Sequence, residues 1–116
     1  MITIVDDDEA VRDSLSVLLS LAGATVNTRD SGAAFLTALE VQRPDCLVVD
    51  VHMPRMSGLE MIEKLNELDA SIPVILISGN MDDAIQSQAD RIGVSKILKK
   101  PFSGHLLIEA IQDLLG

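Results

Sequence analysis

Short apolar runs alternate along the chain with longer segments in which apolar residues recur every three or four positions, and this strand-then-helix order repeats five times. The runs predict strands at Ile2 to Val5, Ala24 to Asn27, Cys46 to Val49, Val74 to Ile77 and Val94 to Leu98. Three of these are continuously apolar or nearly so, as strands buried on both faces of a parallel sheet must be. The second, Ala-Thr-Val-Asn, is more polar and suits a sheet edge. Apolar stripes define the helices: Val11, Leu15, Leu18, Leu19 and Ala22 in the first, Leu107, Ile108, Ile111, Leu114 and Leu115 in the last. Leu59, Ile62, Leu65 and Leu68 mark the third. Phe35, Leu36 and Leu39, then Ile85, Ala89 and Ile92, mark shorter second and fourth helices. Gly23 and Gly93 follow periodic stretches, where a helix end often needs a left-handed residue. Pro44 and Pro73 stand just before strands, where they break no ladder.

With right-handed crossovers and short loops, this order gives an α/β fold, an open, doubly wound parallel sheet with helices on both faces. Ligands of such sheets bind beyond the carboxyl ends of the strands. No linker or low-complexity block divides the 116 residues, so residues 1–116 read as one domain that buries roughly two-thirds of its unfolded surface.

The residues that follow the strands are all polar: Asp6, Asp7 and Asp8 after the first, Asp50 after the third, Ser78 after the fourth, Lys100 just beyond the fifth. Two carboxylates about 4 Å apart repel by ~4 kcal/mol at an effective dielectric near 20, so such a cluster requires counter-charge. Lys100 supplies one cation and a divalent ion the rest. Oxygen ligands suit Mg²⁺ or Mn²⁺, and Mg²⁺ keeps positions for water and phosphate oxygens; without a nearby Cys or His pair the set does not suit zinc. A carboxylate such as Asp50 can then act as nucleophile in phosphoryl transfer, with the Ser78 hydroxyl and the Lys100 ammonium holding the transferred oxygens. Each position also has a plain structural role. Asp6 to Glu9 can cap a helix, Asp50 can make an Asx-turn, Ser78-Gly79-Asn80 is an ordinary loop, and Lys99-Lys100 can be a solvated pair. Their convergence on one sheet edge favours the chemistry, with Asp8 and Glu9 assigned to capping. His52 should line the cleft mouth, and His105 should lie on the surface.

Composition narrows the partners. Nine Lys+Arg against eighteen Asp+Glu give a formal charge of −9, which repels nucleic acid and anionic lipid. No basic-then-apolar leader opens the chain, and the longest uncharged stretch, Ser14 to Thr28, is shorter than the ~20 residues of a membrane span, so a cytoplasmic location is expected. Cys46, the single cysteine, reads as a buried small hydrophobe. Aromatic residues are 2% of the chain, Phe35 and Phe102 alone, so the core must be aliphatic.

The runs Ile-Val-Asp-Asp-Asp at 4 to 8, Leu-Val-Val-Asp-Val-His-Met-Pro-Arg-Met-Ser-Gly at 47 to 58, Ile-Leu-Ile-Ser-Gly at 75 to 79 and Lys-Lys-Pro-Phe at 99 to 102 resemble, in order and spacing, the receiver domains of two-component response regulators. The resemblance spans nearly the whole chain and implies a flavodoxin-like sheet of strand order 2-1-3-4-5. It implies that Asp50 is the phosphoacceptor for a partner histidine kinase or phosphotransfer protein. It further implies a Mg²⁺ site of Asp7, a direct ligand, Asp6, a water-mediated one, Asp50 itself, and the His52 backbone carbonyl as the third protein ligand. Ser78 becomes the mobile hydroxyl, Lys100 the phosphoryl-pairing lysine, and the Lys100-Pro101 bond a cis peptide. In this family an aromatic residue usually stands three places before that lysine; here the position is Ile97, which has no hydroxyl to expose.

Such a protein is a signalling switch, with no catalysis beyond its own phosphotransfer and autodephosphorylation. The Val-Arg-Asp-Ser-Leu run of the first helix is similar to regulators with a C-terminal DNA-binding domain and to receivers of hybrid kinases. Outputs include a fused domain, a downstream protein or a phosphorylation-dependent dimer, with no direct nucleic-acid binding by this chain. A first strand starting at residue 2 favours a receiver cut from a longer protein. Two rival readings stand beside the switch. An aspartyl-phosphate phosphatase would want an acid where His52 stands, and a non-phosphorylated docking domain would not need the Asp6, Asp7, Asp50, Ser78, Lys100 set.

Overall fold

The computed structural model describes residues 1–115. Five strands, β1 (Ile2–Val5), β2 (Val26–Arg29), β3 (Cys46–Asp50), β4 (Val74–Ser78) and β5 (Lys96–Lys99), alternate with five helices, α1 (Glu9–Leu21), α2 (Gly32–Leu39), α3 (Gly58–Glu67), α4 (Asp83–Ile92) and α5 (Gly104–Leu115). All neighbouring strands are parallel, in the order β2-β1-β3-β4-β5. This is the doubly wound sheet that the alternation predicts.

Successive side chains of each inner strand point to opposite faces, and both faces are covered. Leu47, Val49, Val74 and Leu76 pack with Phe35 of α2, Leu59, Ile62 and Leu65 of α3, and Ala89 of α4. Cys46, Val48, Ile75 and Ile77 pack the other way, against Leu19 of α1 and Leu107, Ala110 and Ile111 of α5. Each layer contains one of the two phenylalanines, Phe35 fully inside and Phe102 partly so, amid aliphatic neighbours. Burial pushes the Cys46 thiol up to about 11, as suits an inert core residue.

Two strands begin later than the apolar runs imply, for one reason. Gly23 and Gly93 adopt positive φ (96° and 82°) at the ends of α1 and α4. The N–H groups of Ala24 and Val94 then turn back to the carbonyls of Leu19 and Ala89, so helix closure consumes the donors a strand would use. β2 accordingly runs from Val26 to Arg29, and β5 from Lys96 to Lys99. Both are edge strands, and every residue of β2 is partly exposed.

Candidate functional site

At the carboxyl edge of the sheet the chain leaves β1 and β3, its central strands, through carboxylates. Ligand oxygens of Asp6, Asp7 and Asp50 lie within 4.8 Å of one another. Asp6 is buried, Asp50 nearly so and Asp7 exposed, so the cluster has a sealed floor and an open mouth.

Local hydrogen bonds fix the two inner acids. The Asp8 N–H donates to Asp6 Oδ1 at 2.9 Å, and the His52 N–H donates to Asp50 Oδ1 at 3.2 Å. The other Asp50 oxygen faces Lys100 Nζ at 3.8 Å, a charge contact too long for a hydrogen bond. Lys100 arrives there because β5 pairs with β4 and its N–H donates to the Ser78 carbonyl at 2.8 Å. The Lys100-Pro101 peptide is cis. Ser78 is fully buried; its Oγ accepts the Asn80 N–H at 3.2 Å, while its own O–H finds no acceptor among the described residues. Asp8 has a different role: its side chain accepts the N–H groups of Ala10 and Val11 and caps α1. Asp6, Asp7, Asp50, Ser78 and Lys100 thus meet at one edge, and Asp8 separates from them as a cap.

The His52 carbonyl accepts no hydrogen bond among the described residues, and its exposed side chain lines a shallow cavity with Met53, Ile85 and Gln88. His105 is exposed, 3.1 Å from Glu109 one turn along α5. Ile97 stands opposite Leu76 in β5 and is half-buried against the α4 side of the core.

Burial holds the Asp6 carboxyl above its ordinary value of 3.8, the Asp8 N–H opposing; the Asp50 and Asp7 charges raise it further, and Lys100 lowers it. A carboxyl raised on folding favours the fold while protonated. Its destabilising effect grows as pH rises from the ordinary value through the raised one, and is complete above that. Asp6→Asn keeps the acceptor for the Asp8 N–H and removes the charge. The metal-free variant should therefore melt higher than the parent at neutral pH. The gap should close on acidification below the raised value, as melting curves across pH would show.

Two residues outside the strand-end pattern complete the geometry. The Gly58 N–H donates to the Val51 carbonyl at 2.9 Å, which brings the start of α3 against β3. A Cβ at Gly58 would sit 3.0 Å from the Asp50 carbonyl carbon and closer still to its oxygen. Arg12, one turn into α1, donates from Nη1 to the Asp6 carbonyl at 2.7 Å. Gly58 ends the motif at 47 to 58, where a glycine beside a helix start was the available signal. Arg12 had none beyond its place four residues after the capping Asp8.

Comparison with known proteins bears on the family and the fold. The family model described as "Response regulator receiver domain" matches residues 2–112. The chain is 40% identical over 113 residues to the transcriptional regulatory protein FixJ of Azorhizobium caulinodans, covering 97% of this chain and 54% of that protein. It spans about half the length of the curated relatives it matches. Among solved structures, FixJ-N superposes with a TM-score of 0.90 at 38% identity, covering 97% of this chain and 90% of that one. A CheY-like receiver domain protein from Methanospirillum hungatei superposes with a TM-score of 0.92 at 27% identity, covering 98% and 91%.

Proposed function

Because the chain belongs to the response regulator receiver domain family, the phosphoacceptor switches of two-component signalling, we propose that Asp50 is its phosphoacceptor and Asp6, Asp7, Asp50 and the His52 carbonyl its Mg²⁺ site. The observation that supports this is the carboxylate cluster itself, three acids within 4.8 Å facing a single lysine. Its donors are all oxygen, and desolvation with mutual repulsion already strains Asp6, which is the chemistry a hard divalent cation relieves. Asp7, Asp50 and the His52 carbonyl would hold the ion directly and Asp6 through water, the roles that the family likeness implies for a cluster of this kind. When bound, Mg²⁺ (or Mn²⁺) neutralises charge on the transferring phosphoryl oxygens.

The chain's own groups do the rest. An Asp50 carboxylate oxygen attacks the phosphorus of a phosphohistidine on a partner kinase or phosphotransfer protein. The P–N bond breaks, the imidazole leaves and takes up a proton, and an acyl phosphate forms on Asp50. The Lys100 ammonium and the unengaged Ser78 O–H are the donors for its equatorial oxygens. Movement of Ser78 toward the phosphoryl group vacates space beside β5, into which Ile97 swings. The downstream surface is thereby changed through an aliphatic group with no hydroxyl.

Water later cleaves the acyl phosphate, so the protein turns over only its own modification. An output domain or separate effector reads the surface, and dimerisation on phosphorylation is one form that output takes. Among the described residues no helix is long and apolar enough to cross a membrane. The reading places the protein in the cytoplasm, where its kinase acts. With acetyl phosphate as donor, intact-mass measurement should show one added phosphoryl group with Mg²⁺ and none with excess EDTA. Equal labelling in both would remove the metal from the account.

A further inference from the structure

We propose that Arg12 is a positioning residue for the cation site, holding the peptide plane between Asp6 and Asp7 and through it the Asp7 carboxylate. This rests on the reading of the cluster as a Mg²⁺ site and adds to it a residue outside the ligand set.

The three acids are not held equally. Asp6 Oδ1 accepts the Asp8 N–H, and Asp50 has the His52 N–H on one oxygen and Lys100 beside the other. The Asp7 carboxylate is exposed and accepts no hydrogen bond among the described residues. Its position is inherited from its backbone. A peptide group is planar, so the direction of the Asp6 carbonyl also sets that of the Asp7 N–H and the origin of the Asp7 side chain. That carbonyl receives the Arg12 guanidinium at 2.7 Å, the short distance of a charge-assisted bond. Other bonds brace the same turn. The Asp6 N–H donates to the Arg29 carbonyl of β2, and the Arg12 N–H donates to the Asp8 carbonyl. Arg12 therefore ties α1, capped by Asp8, to the peptide from which Asp7 projects.

Charge and position predict opposite signs. A guanidinium next to the cluster repels a divalent cation, so if Arg12 acted only through its charge, removing it would tighten Mg²⁺ binding. If it positions Asp7, removing it loosens binding, as loss of a group that orients a metal ligand commonly does, by roughly 10- to 100-fold. The aliphatic stem is kept in Arg12→Met, and Arg12→Lys keeps one charged donor, which is all the observed bond uses.

Calorimetric Mg²⁺ titration of the full chain, with thermal melts of each metal-free variant, decides between them. Arg12→Met should fold cooperatively and bind Mg²⁺ at least tenfold more weakly than the parent, with Arg12→Lys recovering most of the loss. Unchanged or tighter binding in Arg12→Met would overturn the proposal. Should Arg12→Met fail to fold, Arg12→Gln takes its place under the same criteria, with loosening supporting the proposal and unchanged or tighter binding overturning it. A parent chain that binds no Mg²⁺ would instead overturn the metal reading on which the proposal rests.

Discussion

Lys100→Met is expected to move two properties of the site in opposite directions. The ammonium 3.8 Å from Asp50 Oδ2 faces the carboxylate cluster, so its removal makes the cluster more attractive to Mg²⁺. Coulomb attraction at that distance is ~4 kcal/mol at an effective dielectric of 20. The lysine side chain is 35% exposed, and solvent screening reduces the effect to about 1 kcal/mol, or roughly a fivefold tighter Mg²⁺ dissociation constant. Phosphoryl uptake should fall by about 10²- to 10³-fold, the usual consequence of losing a donor aimed at developing oxyanion charge. Calorimetry and the rate of labelling by acetyl phosphate measure the two separately. A parallel fall in both would mean that Lys100 serves the fold rather than the transferring group.

The second large effect is steric. In Gly58→Ala the new methyl group meets the Asp50 carbonyl, which is backbone held by strand pairing and cannot rotate aside. The start of α3 must separate from β3, at a cost of about 2–3 kcal/mol, so the melting temperature should drop by roughly 10 °C. Because the displaced residue is Asp50 itself, phosphoryl uptake should slow as well. Gly79→Ala is the control: its nearest neighbour is the flexible Lys100 side chain at 3.9 Å, and its stability should change by less than about 0.5 kcal/mol. Equal melting temperatures for the two variants would show that the approach of α3 to Asp50 is not tight.

The strand-end residues were legible because a parallel sheet gathers the carboxyl ends of its strands, so Asp6, Asp7, Asp50, Ser78 and Lys100 needed only the strands to be counted correctly. Boundaries at Ala24 and Val94 were less so. Apolar side chains mark burial, and both residues spend their N–H groups closing a helix instead of extending a strand. Within Asp6-Asp7-Asp8, three identical side chains have three environments, one buried beneath the cluster, one open at its mouth, one capping α1. Capping was foreseeable for Asp8 from the helix that follows. The contributions of Gly58 and Arg12 depend on an approach of two backbones and on one guanidinium reaching one carbonyl, which no periodicity encodes.

Everything proposed for the site depends on Asp50 carrying the phosphoryl group. Parent and Asp50→Asn proteins should be incubated with acetyl phosphate and Mg²⁺, and their intact masses compared, with folding of both confirmed by thermal melts. The parent should gain one phosphoryl group, lost on mild alkaline hydrolysis as an acyl phosphate is, and Asp50→Asn none. An Asp50→Asn protein labelled as fully as the parent, or a parent that binds Mg²⁺ yet stays unmodified, would contradict that role of Asp50.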